Sequence, residues 1–200
     1  MKTNYFIILL IVFTIFKVNT ATAQIDTTKY PIFDFAFESG VFFPQSDVFL
    51  ADYNSNSFFN YGFKLKAGFS TWKVLPWYRV SFYKTQKDTS LKYVTIEMNK
   101  SFVRKIQNAV GITIPVNLGK DNCIQFKYGG TYNLLLEEAS NLDTKAFGFI
   151  VSAGYMKRFS SLFSFYIDIT YDYTKTDNKN RFNDWSGISL LTGFSVNIAQ

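Results

Sequence analysis

The stretch Phe163–Thr174, FSFYIDITYDYT, decides the fold because two aspartates stand among large apolar and aromatic side chains. Successive side chains of a β-strand point to opposite faces, so this stretch divides into two faces. The first face carries Phe163, Phe165, Ile167, Ile169, Tyr171 and Tyr173. The second carries Ser164, Tyr166, Asp168, Thr170 and Asp172. The fold then depends on which of these two faces meets water.

The same period-two alternation recurs after residue 31 and predicts eight strands. It is clear in IFDFAFESGVFF (32–43), YGFKLKAGF (61–69), WYRVSFYK (77–84) and VGITIPVNL (110–118). It returns in CIQFKYGGTYNLLL (123–136), AFGFIVSAGY (146–155) and GISLLTGFSVNI (187–198). Aromatic residues make up 20% of the chain and charged residues only 18%. This composition is typical of β-sandwiches and β-barrels rather than of an average soluble protein.

The connections between these strands alternate in length. Residues 44–58, 86–100, 137–145 and 174–186 form long polar connections, whereas 71–75, 119–122 and 158–161 are short. Outer-membrane barrels show this alternation, with long loops outside and tight turns in the periplasm. The sequence therefore predicts an all-β, eight-stranded antiparallel up-and-down transmembrane barrel. The strand-like run LKYVTIEMN (91–99) leaves ten strands as an alternative, but eight strands preserve the alternation.

The start of the chain predicts an export signal. Lys2 precedes the apolar run Tyr5–Phe16, and the small residues Ala21–Ala23 suit a cleavage site. A membrane anchor is the alternative, but that run of 12 residues is shorter than the roughly 20 residues that a spanning helix needs. We therefore expect a signal peptide over residues 1–23 and an outer-membrane β-barrel domain over residues 24–200.

The composition excludes several function classes. The chain has no histidine, which removes Ser-His-Asp and Cys-His catalysis and histidine metal sites. Cys123 is the single cysteine, so no intrachain disulfide can form. Loss of the signal takes the net charge from +6 to +4, with both signs mixed and no basic run for nucleic acid. We expect no cofactor, no metal and no nucleic-acid partner.

The width of an eight-stranded barrel decides which face is wet. A secreted lipocalin-like barrel binding an apolar ligand is the alternative, and it would turn the apolar face inward. The interior of eight strands is just wide enough to be filled by side chains, so the many large apolar residues do not fit there. The sequence therefore predicts an apolar face toward outer-membrane lipid and a polar face toward the lumen.

The inward face carries a set of charges with four of each sign. We predict a luminal charge network made of Asp34, Glu38, Lys64, Lys66, Arg79, Lys127, Asp168 and Asp172. Buried charges are tolerated when they are paired and hydrogen-bonded, and this set can neutralise itself. Asp172 and Glu38 lie nearest the outer ends, and for them an environment in water is the alternative.

Aromatic residues near both ends of the strands predict two interface girdles, because amphipathic rings favour membrane–water boundaries. The girdle at the periplasmic rim comprises Trp72, Trp77, Tyr78 and Phe159. The girdle at the outer rim comprises Tyr61, Tyr171, Tyr173 and Trp185.

Three motifs resemble the small porin-like outer-membrane β-barrel domain proteins, the PorT-like family. They are ESGVFFP (38–44), GITIPVNLG (111–119), which is similar to the family's recurrent IP-x-x-L strand, and KYGGTYNLLL (127–136). The resemblance covers residues 31–198 and implies an outer-membrane location in a Gram-negative cell, an eight-stranded barrel and no shared activity. Such barrels usually end on an aromatic residue that the outer-membrane insertion machinery recognises, whereas this chain ends NIAQ and carries Phe194 further inside.

The function predicted from these features is that of an integral outer-membrane protein with a structural or interaction role. Its long loops are expected to meet an extracellular ligand or protein, and its filled polar lumen would admit only very small solutes. An enzyme is not expected. Asp168 and Asp172 could do acid–base chemistry in principle, but four residues apart on one strand they suit salt bridges better.

Overall fold

Eight antiparallel strands make up most of the chain that the structure, a computed structural model, describes. The described residues are 31–46, 57–69, 71–86, 102–137, 142–176 and 184–198. The strands are β1 (Pro31–Pro44), β2 (Phe58–Phe69), β3 (Leu75–Gln86), β4 (Phe102–Asn117), β5 (Asn122–Glu137), β6 (Leu142–Arg158), β7 (Phe163–Thr174) and β8 (Gly187–Asn197). None of these ranges contains a helix long and apolar enough to cross a bilayer. The expected signal peptide lies outside the described residues.

The strands close into a barrel in which each one pairs with the next along the chain. β1 completes the ring by pairing with β8, from Asp34 opposite Asn197 to Pro44 opposite Gly187. This closure confirms the eight-stranded antiparallel fold, and among the described residues no further strand joins the ring. β4 starts at Phe102, well before the predicted start at Val110, and the run 91–99 lies outside the described residues.

The three longest connections all lie at one end of the barrel. We call the end with residues 70–74, 118–121 and 159–162 the turn end, and the end with 45–57, 87–101, 138–141 and 175–186 the loop end. The predicted long connection 137–145 is wrong in its extent, because Leu142 already opens β6. The charged residues Asp143 and Lys145 made this segment resemble a polar loop in the sequence, but both are exposed residues of a long strand.

The outer surface of the barrel is apolar and its interior is polar. Phe147, Phe194 and Ile169 are 78%, 65% and 59% exposed, whereas Asp168 is 2% exposed and Glu38 is completely buried. The lipocalin-like alternative required the opposite arrangement. Its apolar ligand has no apolar lumen to enter, because the interior is filled by the polar side chains described below.

Pro115 lies in β4 without costing a ladder hydrogen bond. The N–H of Leu118 donates to the carbonyl of Asn122 in β5 at 2.9 Å. Neighbouring residues of a strand direct their N–H groups to opposite sides, so position 115 faces β3 instead. Pairing of β3 with β4 ends at Leu75 opposite Thr113, and the missing donor of Pro115 therefore has no partner to lose.

Candidate functional site

Six side chains meet in the middle of the lumen and form what we call the central cluster: Glu38, Lys64, Arg79, Lys127, Tyr166 and Asp168. Lys64 Nζ lies 3.4 Å from Glu38 Oε2 and 3.5 Å from Asp168 Oδ2. Arg79 Nη1 lies 3.4 Å from Glu38 Oε1, and Lys127 Nζ pairs with Asp168 Oδ2. The cluster therefore joins cations and carboxylates from five different strands into one arrangement.

Tyr166 supports the central cluster from the turn end. Its hydroxyl donates to Glu38 Oε2 at 3.0 Å, and Lys64 Nζ lies 3.8 Å from its ring centroid. A cation over an aromatic face is attracted by the ring, and more strongly when both are removed from water. Tyr166 was assigned to the inward face from the sequence but was not recognised as part of the network.

Strand register brings these groups together. Lys64 and Arg79 are direct cross-strand partners in β2 and β3, and both reach Glu38 on the neighbouring β1. Asp168 is paired with Gly154 of β6, and a Cβ at position 154 would lie only 1.8 Å from Asp168 Oδ1. Because position 154 has no side chain, the Asp168 carboxylate can extend into the lumen and meet Lys127.

A second polar group, the loop-side layer, lies nearer the loop end and comprises Lys105, Gln107, Asn133, Asp172 and Thr174. Lys105 Nζ lies 2.6 Å from Asp172 Oδ2 and donates to Thr174 Oγ1 at 3.2 Å. Gln107 Nε2 donates to Asp172 Oδ2 at 2.6 Å and to Asn133 Oδ1 at 3.0 Å. Asp172, like Glu38, is completely buried, so the alternative that these two carboxylates sit in water is wrong.

The two groups are connected. Arg79 Nη2 donates to Gln107 Oε1 at 2.7 Å, and Tyr83 donates to the same oxygen at 3.1 Å. Hydrogen bonds and ion pairs thus run continuously from Asp168 to Asp172. Lys105 and Gln107 were missed in the sequence because they precede the predicted start of their strand, although their alternation with Arg104 and Ile106 continues the period of β4.

Two of the predicted network charges form a pair that lies apart from the other groups, toward the turn end. Lys66 Nζ lies 2.5 Å from Asp34 Oδ2, and both side chains retain a little exposure, 11% and 14%. On the side of the central cluster, Ala36, Cys123 and Met156 pack with Tyr166 of that cluster as a buried apolar group. The structure thus places all eight predicted charges in the interior but divides them into separate levels.

The loop end of the lumen is closed by an apolar group that we call the outer cluster: Phe42, Phe58, Tyr83, Val103, Leu135, Ala146 and Trp185. Phe42 packs edge-on against Phe58 and Tyr83, with ring centroids 5.9 and 5.1 Å apart. Trp185 is completely buried, and its carbonyl accepts from Lys105 Nζ at 3.4 Å. The outer cluster therefore covers the polar interior from the loop end.

The predicted girdles need two corrections. Trp77 is 4% exposed and packs inside with Ala109 and Ile150, and Trp185 belongs to the outer cluster. Trp77 occupies a position whose strand parity is inward, and this parity outweighs the preference of tryptophan for an interface. Trp185 lies in the connection between β7 and β8 rather than in a strand. Of the other predicted girdle residues, Tyr61, Trp72, Tyr78 and Phe159 are exposed, while Tyr171 and Tyr173 are half-buried.

A small hydrogen-bonded unit holds the described part of the connection between β7 and β8. Lys175 and Asp184 form a bridge, with Nζ and Oδ2 3.4 Å apart, and the N–H of Ser186 donates to Asp184 Oδ1 at 3.0 Å. Partial burial opposes ionisation of Asp184, but the bonds from Ser186 and the charge of Lys175 outweigh it and lower the pKa of this carboxyl. The same carboxylate raises the pKa of Lys175.

The chemistry available to the interior is that of paired charges. Each carboxylate of the central cluster and loop-side layer has a cationic partner within 4 Å, and Asp168 and Asp172 engage different lysines. Among the described residues, no group of histidine, cysteine and acidic side chains could hold a metal ion. The geometry suits a structural filling of the lumen rather than a site for a substrate.

Comparison with known proteins identifies the fold. No family model matches the chain, and no curated protein sequence matches it significantly. Several solved structures do match. One is OprG of Pseudomonas aeruginosa, an outer-membrane protein, with 10% sequence identity and a TM-score of 0.58. The match covers 86% of this chain and 98% of OprG. Neisserial surface protein A matches with 10% sequence identity and a TM-score of 0.57, and the match covers 84% of this chain and 97% of that protein. The N-terminal β-barrel domain of OprF from P. aeruginosa matches with 11% sequence identity and a TM-score of 0.55, and the match covers 84% of this chain and 98% of that domain. The chain therefore has the fold of small outer-membrane β-barrels.

Proposed function

We propose that this chain is an integral outer-membrane protein whose sealed barrel anchors surface loops, with its turn end in the periplasm and its loop end outside the cell. The observation that carries the proposal is the inversion of polarity. Large apolar side chains cover the outside, while Glu38, Lys105, Asp168 and Asp172 are at most 2% exposed inside. Such a surface is stable in lipid and costly in water.

The positions of outward charges support the membrane band. Lys84, Arg104, Asp143 and Lys145 are exposed near the loop ends of their strands, and Lys157 is exposed next to the turn end. A lysine or arginine facing lipid at the midplane would cost about 2–4 kcal/mol, falling to about 0–1 near the interfaces. The outward charges thus lie where a membrane tolerates them.

The filled lumen favours a role that does not depend on transport. The outer cluster, the loop-side layer and the central cluster follow one another along the axis, and open porins need roughly 16–18 strands. Passage of very small solutes is the lesser variant of the proposal. The principal role falls to the connections 45–57, 87–101 and 175–186, which we expect to meet an extracellular ligand or protein.

The remaining parts of the proposal concern biogenesis and kinship. We propose export by a signal over residues 1–23, recognition by the outer-membrane insertion machinery through β8, and membership of the PorT-like group. The outward Phe194, 65% exposed in β8, is the aromatic residue offered to that machinery. We also propose that the protein has no enzymatic activity, since the carboxylates of Asp168 and Asp172 form ion pairs with Lys127 and Lys105, respectively.

Cell fractionation combined with gel migration tests the location. We expect the protein in the outer-membrane fraction, extracted only by detergent, and migrating differently before and after boiling. Recovery in the soluble fraction without detergent would contradict the proposal. Planar-bilayer recording of the refolded protein tests the role separately, because we expect no large stable conductance. A well-defined open channel would leave the location intact and reject the sealed scaffold.

A further inference from the structure

A small cavity lies within the central cluster. Its volume is about 10 Å³, close to the roughly 10–15 Å³ of space that one water molecule needs. The described residues that line it are Lys64, Trp77, Arg79, Lys127, Ile150, Ser152 and Asp168. Most of these side chains are polar, in contrast to the dry apolar cavities that stay free of water.

Three of the lining residues have a buried polar atom without a protein hydrogen-bond partner among the described residues. They are Trp77 Nε1, Arg79 Nε and Asp168 Oδ1. The three residues are 4%, 4% and 2% exposed. Two of these atoms are N–H donors and the third is a carboxylate acceptor. A buried polar atom without a partner costs about 1–3 kcal/mol, so a ligand that meets all three atoms would remove this cost.

We infer that the cavity binds a single water molecule that accepts from Trp77 Nε1–H and Arg79 Nε–H and donates to Asp168 Oδ1. Water is the ligand that can both accept and donate at one position, and buried waters typically make about three hydrogen bonds. Its size also matches the cavity. The outer cluster prevents bulk solvent from entering the lumen at the loop end, so this water is an integral part of the interior.

Charge distinguishes water from an ion at this position. The central cluster has three cationic side chains, Lys64, Arg79 and Lys127, and these would repel a cation in the cavity. The excess of cations over the carboxylates of Glu38 and Asp168 would attract an anion, but the unpartnered Asp168 Oδ1 would repel it. A chloride or bromide ion is also larger than water and does not suit the volume. The bound water connects Arg79 to Asp168, which are not within ion-pair distance of each other.

The three tryptophans of the chain, Trp72, Trp77 and Trp185, allow a direct test by NMR. The full-length mature protein is refolded in deuterated detergent, and the variants Trp72→Phe and Trp185→Phe assign the indole signals. Trp77 is then assigned by elimination, so the test does not depend on Trp77→Phe folding. We expect a cross-peak from the Trp77 indole proton to the water frequency and none from the buried Trp185. Absence of the Trp77 peak, or equal peaks from both, would overturn the inference.

Crystallography separates bound water from side-chain protons that exchange with solvent. We expect a density peak at hydrogen-bond distance, about 2.7–3.2 Å, from all three unpartnered atoms. Crystals soaked in bromide supply the second arm. An unchanged peak without anomalous signal supports water, whereas an anomalous bromide peak at the site would show an anion and overturn the inference. Density that is featureless at the site would overturn it as well.

Discussion

Lys105 Nζ lies 2.6 Å from Asp172 Oδ2, and neither side chain has any exposure. This is the most deeply buried ion pair among the described residues. It was not foreseen from the sequence, because Asp172 was assigned to the network without Lys105. Since removal of one member of a buried pair leaves the other charge uncompensated, this pair yields the sharpest mutational prediction.

Lys105→Met should lower the free energy of unfolding by about 3–5 kcal/mol, because it leaves the Asp172 carboxylate buried without its cationic partner. The double variant Lys105→Met with Asp172→Asn should recover part of that loss. Urea unfolding in detergent, followed by circular dichroism, measures both. The matched control is Arg104→Met on the neighbouring exposed position, where we expect a change under about 1 kcal/mol. Equal losses at positions 104 and 105 would contradict a special role for the buried pair.

A double-mutant cycle should show that Asp168 couples more strongly to Lys127 than to Arg79. Lys127 is in direct contact with Asp168, whereas Arg79 pairs with Glu38. Contacting charged residues show coupling energies of about 0.5–3 kcal/mol. We expect the upper part of this range for Lys127→Met with Asp168→Asn, and less than half as much for Arg79→Met with Asp168→Asn. A reversed order of the two coupling energies would refute the assigned partners.

Ile169→Arg should impair folding into lipid vesicles, because Ile169 lies at the middle of β7 with 59% exposure toward the outside. The expected cost is about 2–4 kcal/mol. Leu162→Arg provides the control, since Leu162 is exposed in a connection at the turn end and should cost only about 0–1 kcal/mol. Both are read from denaturant titrations of the vesicle-bound protein. In a water-soluble protein neither change would matter, so two neutral variants would argue against a lipid-facing surface.

Gly154→Ala should destabilise the barrel by about 1–3 kcal/mol, as expected for overpacking. Its new Cβ would fall 1.8 Å from Asp168 Oδ1 and 2.6 Å from the carbonyl oxygen of Ile167. Gly130→Ala makes the same chemical change on the neighbouring strand with nothing within 4 Å, and it should be neutral or slightly stabilising. The two variants are compared by thermal unfolding in one detergent. If they lose the same stability, close approach of Asp168 to β6 is not the reason.

The Asp184 carboxyl should titrate below its ordinary pKa of 3.8. The chemical shift of the Ser186 amide, whose proton is donated to Asp184 Oδ1, reports this titration directly. Because the pKa is lower in the folded protein, the stabilising contribution is present above the ordinary pKa and is lost as the pH falls through the folded value. Lys175→Met should move the midpoint upward. A midpoint at or above the ordinary value in the unaltered protein would contradict the bridge.

Much of the fold was predictable because the side-chain period of a strand is two. The stretch Phe163–Thr174 assigns every face of β7 correctly, with Ile167 and Ile169 outside and Asp168 and Asp172 inside. The long and short connections then predict the closed up-and-down order. The period also assigned eight charged residues to the inward face, since inward parity in a closed eight-stranded barrel leaves them no access to lipid, but it missed Lys105.

Contacts across the lumen could not be predicted, because they depend on register and strand stagger. Trp77 shows the difficulty. Its ring fits inside because Gly111 and Gly129 lie opposite, where an added Cβ would approach the indole to 2.7 and 2.8 Å. The sequence contains these glycines, but only the pairing of Trp77 with Gly111, and of Gly111 with Gly129, brings them together. Partner choice in the charge network has the same origin.

The pairing of β1 with β8 governs how this molecule can associate with others. A sheet with a free margin offers unpaired backbone groups on which a second polypeptide can add a strand. At the seam between β1 and β8 this margin is absent, since the first and last strands satisfy each other from Asp34 to Pro44. A partner can therefore bind at this seam only through side chains, and no strand can be added between β1 and β8.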